Sequence, residues 1–218
     1  MDSALFESLL REEESDALDF KRDQYRFSKA TDDERSELLK DLLGFANAWR
    51  RSEAYILIGV EDVRGGRSNI VGIAEQLSDH SLQQFVNHLT NRPLRFHYEA
   101  FNSDGVDVGV IRVELGQNRP LYLKRDFGKL RAERVYVRRG SATDPTNPAS
   151  PEEIAEMGRS VTVAGQSPEL LVQFADTERD VSCGDKRAWE AVSLSVPDPE
   201  AIPDFIVSRQ FWCRRCPG

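Results

Sequence analysis

The most constraining feature of this sequence is an unbroken apolar run, AYILIGV, at residues 54–60. A run this short, with β-branched side chains and no polar alternation, predicts a strand that is buried on both faces. The chain must therefore place a layer of structure on each side of it. Glu61 and Asp62 follow at once, so the strand is predicted to deliver acidic side chains to the sheet edge, although a solvated turn would have the same sequence.

Two helices are predicted around this strand. Thr31 and Glu34 have the spacing of a capping box, and an apolar stripe that runs to Trp49 predicts a core helix after them. Ser78 is predicted to cap a second amphipathic helix, which Pro93 ends. Shorter helices are predicted at residues 4–11 and 152–159.

Several further strands are predicted from alternation and turn residues. Residues 17–21 are predicted to form a short strand, and residues 95–101 and 106–115 a hairpin with a bulge between Val110 and Ile111. A second hairpin is predicted from residues 120–125 and 131–139. The mixed order of elements indicates the α+β class, with a mixed sheet and two main helices over residues 1–159. Residues 160–218 are predicted to form a small strand-rich C-terminal extension.

Charge and composition limit the function classes. The net charge of −8 argues against a general nucleic-acid-coating protein, yet residues 119–139 hold eight Lys or Arg against two acids. No segment approaches the run of about 20 apolar residues that a membrane helix requires. The acidic N-terminus does not resemble a signal peptide, and three cysteines, an odd number, fit a reducing compartment. We therefore expect a cytoplasmic protein without a membrane partner.

Three acids form the candidate catalytic and metal site. Glu14 and Asp19 can converge only if the chain changes structure between them, and Asp62 could join them from the end of the central strand. Three carboxylates on rigid elements suit Mg²⁺ or Mn²⁺, which can activate a water for phosphodiester cleavage. Lys21 would steady a phosphate. The alternative is a group of ordinary acid-rich turns. No phosphate loop is present, so no nucleotide cofactor is expected.

The candidate nucleic-acid surface lies on the second predicted hairpin. Alternation places Arg134, Tyr136 and Arg138 on one face, where cations could hold phosphates and an aromatic ring could stack on a base. The alternative is the ordinary exposed face of a half-buried sheet, and the scarcity of acids on this strand favours the first interpretation. The predicted contacts are Lys124, Arg134, Tyr136, Arg138, Arg139, Ser141 and Thr143.

Three segments in this order resemble a known family. ESDALDFK at residues 14–21 is similar to the E-S-x-x-x-E-F-K signature of the Schlafen Alba-like domain. LLKDLLGFANA together with ILIGVED resembles its second signature, an Ala-Asn helix that leads into a strand ending Gly-Val-x-Asp. YVRRGSAT resembles its closing Tyr-x-Arg-x-Gly-Ser-x-Thr. The likeness covers residues 4–158 and leaves the C-terminal tail uncovered.

The resemblance implies an Alba-like fold and nucleic-acid binding. In the Schlafen branch it implies a metal-dependent nuclease acting on transfer and ribosomal RNA, with Glu14, Asp19 and Asp62 as its acids. Other members are DNA-binding or regulatory proteins without known catalysis. Two departures stand out: Asp19 replaces a glutamate, and Arg50-Arg51-Ser52-Glu53-Ala54 replaces the usual Gly-Gly. The paired lobes of the vertebrate proteins suggest, by analogy, a homodimer here.

Three functions are consistent with these observations. The leading expectation is a metal-dependent endoribonuclease that cleaves structured RNA such as tRNA. The first alternative is a non-catalytic DNA-binding transcriptional or defence-associated regulator, in which the acids are structural. The second alternative is a protein-interaction module whose acidic surface makes the contact. Metal-dependent cleavage separates the first function from the others, and salt-sensitive nucleic-acid binding separates the regulator from the interaction module.

Overall fold

The computed structural model describes the backbone of residues 1–165 and the side chains of residues 1–159. The mixed α and β order within this range confirms the predicted class and its mixed sheet. Most of the predicted extension at residues 160–218 lies outside the described residues. The elements are α1 Ser3–Leu9, β1 Leu18–Lys21, α2 Asp32–Asn47, β2 Ala54–Ile58, β3 Val60–Glu61, β4 Asn69–Ile70, α3 Asp79–Leu89, β5 Phe96–Ser103, β6 Val106–Val113, β7 Arg138–Arg139, β8 Ala142–Thr143 and α4 Pro151–Gly165.

The main sheet has the strand order β1-β2-β6-β5, so β2 is a central strand, as its apolar run predicts. Strand β1 pairs in parallel with β2, and the other pairs are antiparallel. Ile56 and Ile58 belong to the core that contains the α2 and α3 side chains. Leu57 points to the opposite core, where it meets α1 residues such as Phe6. The two faces of β2 are thus both covered.

Helix α2 begins with the predicted capping box: Thr31 and Glu34 accept each other's backbone N–H groups. It ends at Asn47, because Ala48 has extended backbone with ψ 149°. Trp49 therefore leaves the helix and is 42% exposed, so its predicted place in the core is wrong. Helix α3 begins after Ser78, whose side chain accepts from Ser81 N as predicted.

The β5–β6 hairpin forms as predicted, but without the bulge. Its register runs unbroken from Ser103 opposite Val106 to Phe96 opposite Val113. Val110 packs in the core with α1, whereas Ile111 packs in the core with α2 and α3. Since both faces of β6 are covered here, consecutive apolar residues need no change of register.

The second predicted hairpin does not form. Residues 122–124 bond instead to residues 89–91, and Asn47 of α2 binds backbone groups of both predicted strands. Its Nδ2 donates to the carbonyls of Leu121 and Tyr136 at 2.8 and 2.9 Å, and its Oδ1 accepts from Leu121 N at 2.8 Å. Residues 120–125 and 131–139 meet instead at a single bond from Glu133 N to Leu123 O, outside any named strand. Among the described residues, no helix has the length and apolar character that a bilayer crossing requires.

Candidate nucleic-acid interface and acidic group

The three resembling segments meet at the buried Arg138. Its Nη2 lies 3.0 Å from Asp19 Oδ1, and its Nε donates to Ser15 O at 2.6 Å, so it ties β7 to the segment around β1. Its guanidinium carbon lies 4.4 Å from the centre of the Phe45 ring on α2, a cation–π distance. Arg138 therefore joins the first, second and closing segments in one buried contact.

Gly44 allows the closing segment to approach α2 this closely. A Cβ added at Gly44 would lie 2.2 Å from Thr143 Oγ1, a distance that no side chain tolerates. Thr143 Oγ1 is buried and has no hydrogen-bond partner in the structure. Thr143 therefore packs against the helix, and the structure does not present its hydroxyl to a phosphate as the sequence predicted.

Lys21 lies between two buried carboxylates, of which sequence reasoning found only one. Its Nζ is 2.6 Å from Asp19 Oδ2, an ion pair without hydrogen-bond geometry, and 3.3 Å from Asp41 Oδ2. Tyr25 donates its hydroxyl to the same Asp41 oxygen at 2.7 Å. Burial by itself lowers the pKa of Lys21, but the charges of Asp41 and Asp19 outweigh it and the pKa is raised. Asp41 could have been found from the sequence, because it is an aspartate among the leucines of a predicted core helix.

The three predicted acids lie near one another but in different environments. Asp19 is buried, Asp62 is exposed, and Glu14 is partly buried with its Oε1 accepting from Phe20 N at 3.1 Å. Burial raises the pKa of Glu14, and repulsion from Asp19 and Asp62 adds to the rise. The irregular chain between α1 and β1 thus brings Glu14 close to Asp19, as the sequence predicts.

The arrangement does not fit a divalent cation. Within residues 1–159, no group of three or more His, Cys, Asp or Glu side chains is placed to hold a metal ion. Both Asp19 oxygens face cations of the protein, Arg138 on one side and Lys21 on the other. Asp19 would be the central metal ligand, and its negative charge is therefore already neutralised by cations of the protein. The expectation of a Mg²⁺ or Mn²⁺ site gains no support from this geometry.

The raised pKa of Glu14 predicts that Glu14→Gln stabilises the protein near neutral pH. When the pKa of an acid is higher in the folded state, the folded state binds more protons, so stability falls as pH rises through that range. Glutamine keeps the acceptor for Phe20 N and carries no charge. We expect a higher Tm than the parent at pH 7, with the gain disappearing below about pH 4.

Glu13→Gln is the matched control, because Glu13 is the exposed neighbour of Glu14. Thermal melts of the parent and both variants at several pH values provide the measurement. A gain of equal size for both variants would reflect net charge alone and contradict the local repulsion. So would a gain for Glu14→Gln that is independent of pH.

The predicted basic face is wrong for two of its members. Tyr136 and Arg138 are 1% and 4% exposed, whereas Arg134 is exposed. Val135 and Val137, on either side of Tyr136, are buried as well, so four consecutive residues from 135 to 138 are buried. Residues 134–137 belong to no strand and lie between α2 and the β1 region, so the alternation of a strand does not describe their burial.

Acids from distant parts of the chain neutralise several of the other cations. Arg139 pairs with Glu153 at 2.7 Å, and the side chains of Lys129 and Arg131 pair with Glu37 and Asp126. Ser141 is exposed in the β7–β8 turn. Within residues 119–139, three exposed cations make no ion pair with any described residue, and we call them the cationic surface: Lys124, Arg125 and Arg134.

The fold and these linked segments define a domain in which three sequence signatures meet around one buried ion pair. The family model described as Schlafen, AlbA_2 matches residues 14–147, and the chain belongs to this family. Membership of this family supports a role related to nucleic acid. No curated protein sequence is significantly similar to the chain.

The solved structures similar to this chain include the following two. One is the DIP2311 protein from Corynebacterium diphtheriae, with 21% identity and a TM-score of 0.48, over 79% of this chain and 30% of that one. The other is the N-terminal domain of a RecG-related protein from Nitrosomonas europaea, with 18% identity and a TM-score of 0.41, over 69% of this chain and 97% of that one. The chain thus spans less than a third of the DIP2311 chain.

Proposed function

We propose that this protein binds nucleic acid through its cationic surface. The supporting observation is that Lys124, Arg125 and Arg134 are exposed and lack ion-pair partners among the described residues. Their backbones are neighbours, because Glu133 N donates to Leu123 O at 2.9 Å. Cations of this kind bind phosphates, whatever the base sequence. The net charge of −8 means that the attraction is local to this surface.

The double variant Lys124→Glu with Arg134→Glu tests this function. We expect weaker binding to RNA and DNA alike, because the lost contacts are to the backbone. The logarithm of affinity should also depend less steeply on the logarithm of salt concentration, by about 0.7–0.9 for each lost contact. Fluorescence anisotropy with labelled tRNA, single-stranded DNA and duplex DNA at several salt concentrations measures both effects.

Arg159→Glu is the control for charge. Arg159 is an exposed residue of α4, paired with Glu156 and outside residues 14–147. The same charge reversal there should leave the salt dependence close to that of the parent. If the double variant binds with the parent's affinity and slope, the cationic surface is not the interface. If the parent binds none of the three nucleic acids, the proposed function is wrong.

Cleavage of structured RNA such as tRNA is the second candidate function. The observation in its favour is that Glu14, Asp19 and Asp62 come from separate parts of the chain and still influence one another, as the raised pKa of Glu14 indicates. Such convergence is typical of catalytic carboxylates. A homodimer would present two such groups to one RNA, and light scattering tests it. The non-catalytic DNA-binding regulator is the alternative that remains if no RNA is cleaved.

A further inference from the structure

A second exposed feature lies where α2 ends. Trp49 is 42% exposed, and Arg51 beside it is also exposed. One exposed apolar residue carries no inference, since such residues are normal on protein surfaces. The arrangement of cations around Trp49 is what indicates a ligand.

Arg119 holds one face of the indole ring. Its guanidinium carbon lies 5.6 Å from the ring of Trp49, within cation–π range. The same side chain donates from Nη1 to Ala48 O at 2.9 Å, next to Trp49 in the chain. Arg119 is therefore fixed by the helix terminus, and it orients the ring that it contacts.

Arg50 adds a second cation that is fixed by backbone carbonyls. Its guanidinium donates to Phe45 O and Glu114 O, and also to Ser52 O. The pKa of Arg50 is lowered to about 10, chiefly by burial and also by the charge of Arg119, while Glu53 and Asp16 act in the opposite direction. Arg50 and Arg119 are thus two cations held by backbone carbonyls where α2 ends, next to Trp49 in the chain or in contact with its ring.

Arg119, which contacts the Trp49 ring, is also close in the chain to the cationic surface. Residues 119 and 124 are five apart, so at most about 18 Å of chain separates Arg119 from Lys124. We infer that one strand of nucleic acid spans both. The cations at this point, Arg50 and Arg51, belong to the segment that replaces the Gly-Gly expected after the Ala-Asn helix.

We propose that Trp49 is a stacking site for an unpaired base, with Arg51 and Arg119 beside it for the adjoining phosphates. The protein would accordingly prefer single-stranded nucleic acid, or the loops of structured RNA, over continuous duplex. An aromatic ring next to cations is the arrangement that binds single strands, since every base has a face on which to stack. This inference rests on the nucleic-acid-binding function proposed above.

The test compares Trp49→Ala with Trp49→Phe and Leu115→Ala in the full chain. Leu115 is 46% exposed and follows Glu114, whose carbonyl accepts from Arg50, so it is a matched loss of apolar surface without a ring. Anisotropy is measured with a 12-mer of uridylate and an RNA duplex of equal length. We expect Trp49→Ala to weaken single-strand binding about 5- to 100-fold with little effect on duplex, and the other two variants to bind like the parent.

Photo-cross-linking of the parent to a 5-iodouracil 12-mer gives a readout that needs no variant, and we expect an adduct on Trp49. Any of three results overturns the stacking site and leaves the proposed function standing. These are the absence of that adduct, unchanged single-strand binding by Trp49→Ala, and equal losses for single strand and duplex. A variant that binds normally but changes its oligomeric mass shows an interface between copies instead, which also overturns it. A parent that binds no nucleic acid overturns this inference together with the proposed function.

Discussion

Replacing Arg138 by alanine is expected to lower the free energy of unfolding by about 3–5 kcal/mol, because it removes one partner of a buried ion pair. Arg138 and Asp19 are both buried, and their side-chain atoms lie 3.0 Å apart. The variant also loses the bond to Ser15 O and the contact with the Phe45 ring. Since domains of this size are stable by only about 5–15 kcal/mol, the change should be visible as a large shift in the urea midpoint.

Arg139→Ala is the internal control for this experiment. Arg139 is the next residue and also forms an ion pair, with Glu153, but its side chain is 39% exposed. An exposed pair contributes about 0–1 kcal/mol, so the control should remain close to the parent. Equal, small losses in the two variants would show that the buried contact does not hold the three segments together.

The contacts of Arg138 show why part of the fold could be predicted from sequence and part could not. The capping box of α2 and the turn of the β5–β6 hairpin depend on residues a few positions apart, so local spacing is sufficient. The partner of Arg138 lies 119 positions away. Strand alternation therefore predicted a solvent-exposed position for Arg138, although its charge is neutralised inside the protein.

The bonds of Asn47 illustrate the same limit for the second hairpin. In residues 134–138, Arg134, Tyr136 and Arg138 alternate with two valines, as they would in a strand with one wet face. One buried amide from α2 nevertheless satisfies backbone groups of Leu121 and Tyr136, and the strands do not pair. A buried polar side chain in a core helix indicates that some backbone must meet it, because buried polar groups are hydrogen-bonded. It does not indicate which backbone.

The acidic group was predictable for the opposite reason. Glu14 and Asp62 each lie near an end of a predicted element. The parallel pairing sets Lys21, at the end of β1, opposite Ile58 shortly before Asp62, and Glu14 folds back toward this end because its carboxylate accepts from Phe20 N. Sequence could not reveal that Asp19 is compensated by Lys21 and Arg138, which makes it a structural residue as well as a candidate acid. Activity lost on replacing Asp19 would therefore be ambiguous, and Asp62 is the better test.

The cleavage candidate predicts that Asp62→Ala removes RNA hydrolysis and leaves RNA binding intact. Asp62 is exposed and pairs with no cation among the described residues, so its loss should cost about 0.5 kcal/mol of stability or less. If its carboxylate takes part in the chemistry, the rate should fall at least about 100-fold. The assay follows tRNA, single-stranded DNA and duplex DNA with the parent and the variant, each with Mn²⁺, Mg²⁺ or a chelator.

Glu61→Ala controls for a loss of negative charge at the same place. Glu61 ends β3 next to Asp62, and it pairs with the exposed Arg22. It should cleave at the parent's rate if Asp62 acts specifically. Product that forms with a metal ion and not with chelator would mean that the acids rearrange around the ion, since Asp19 now faces Lys21 and Arg138. If the parent gives no product from any substrate under any of the three conditions, the cleavage candidate is wrong and the protein binds nucleic acid without cutting it. If Asp62→Ala cleaves as fast as the parent, Asp62 takes no part in the chemistry.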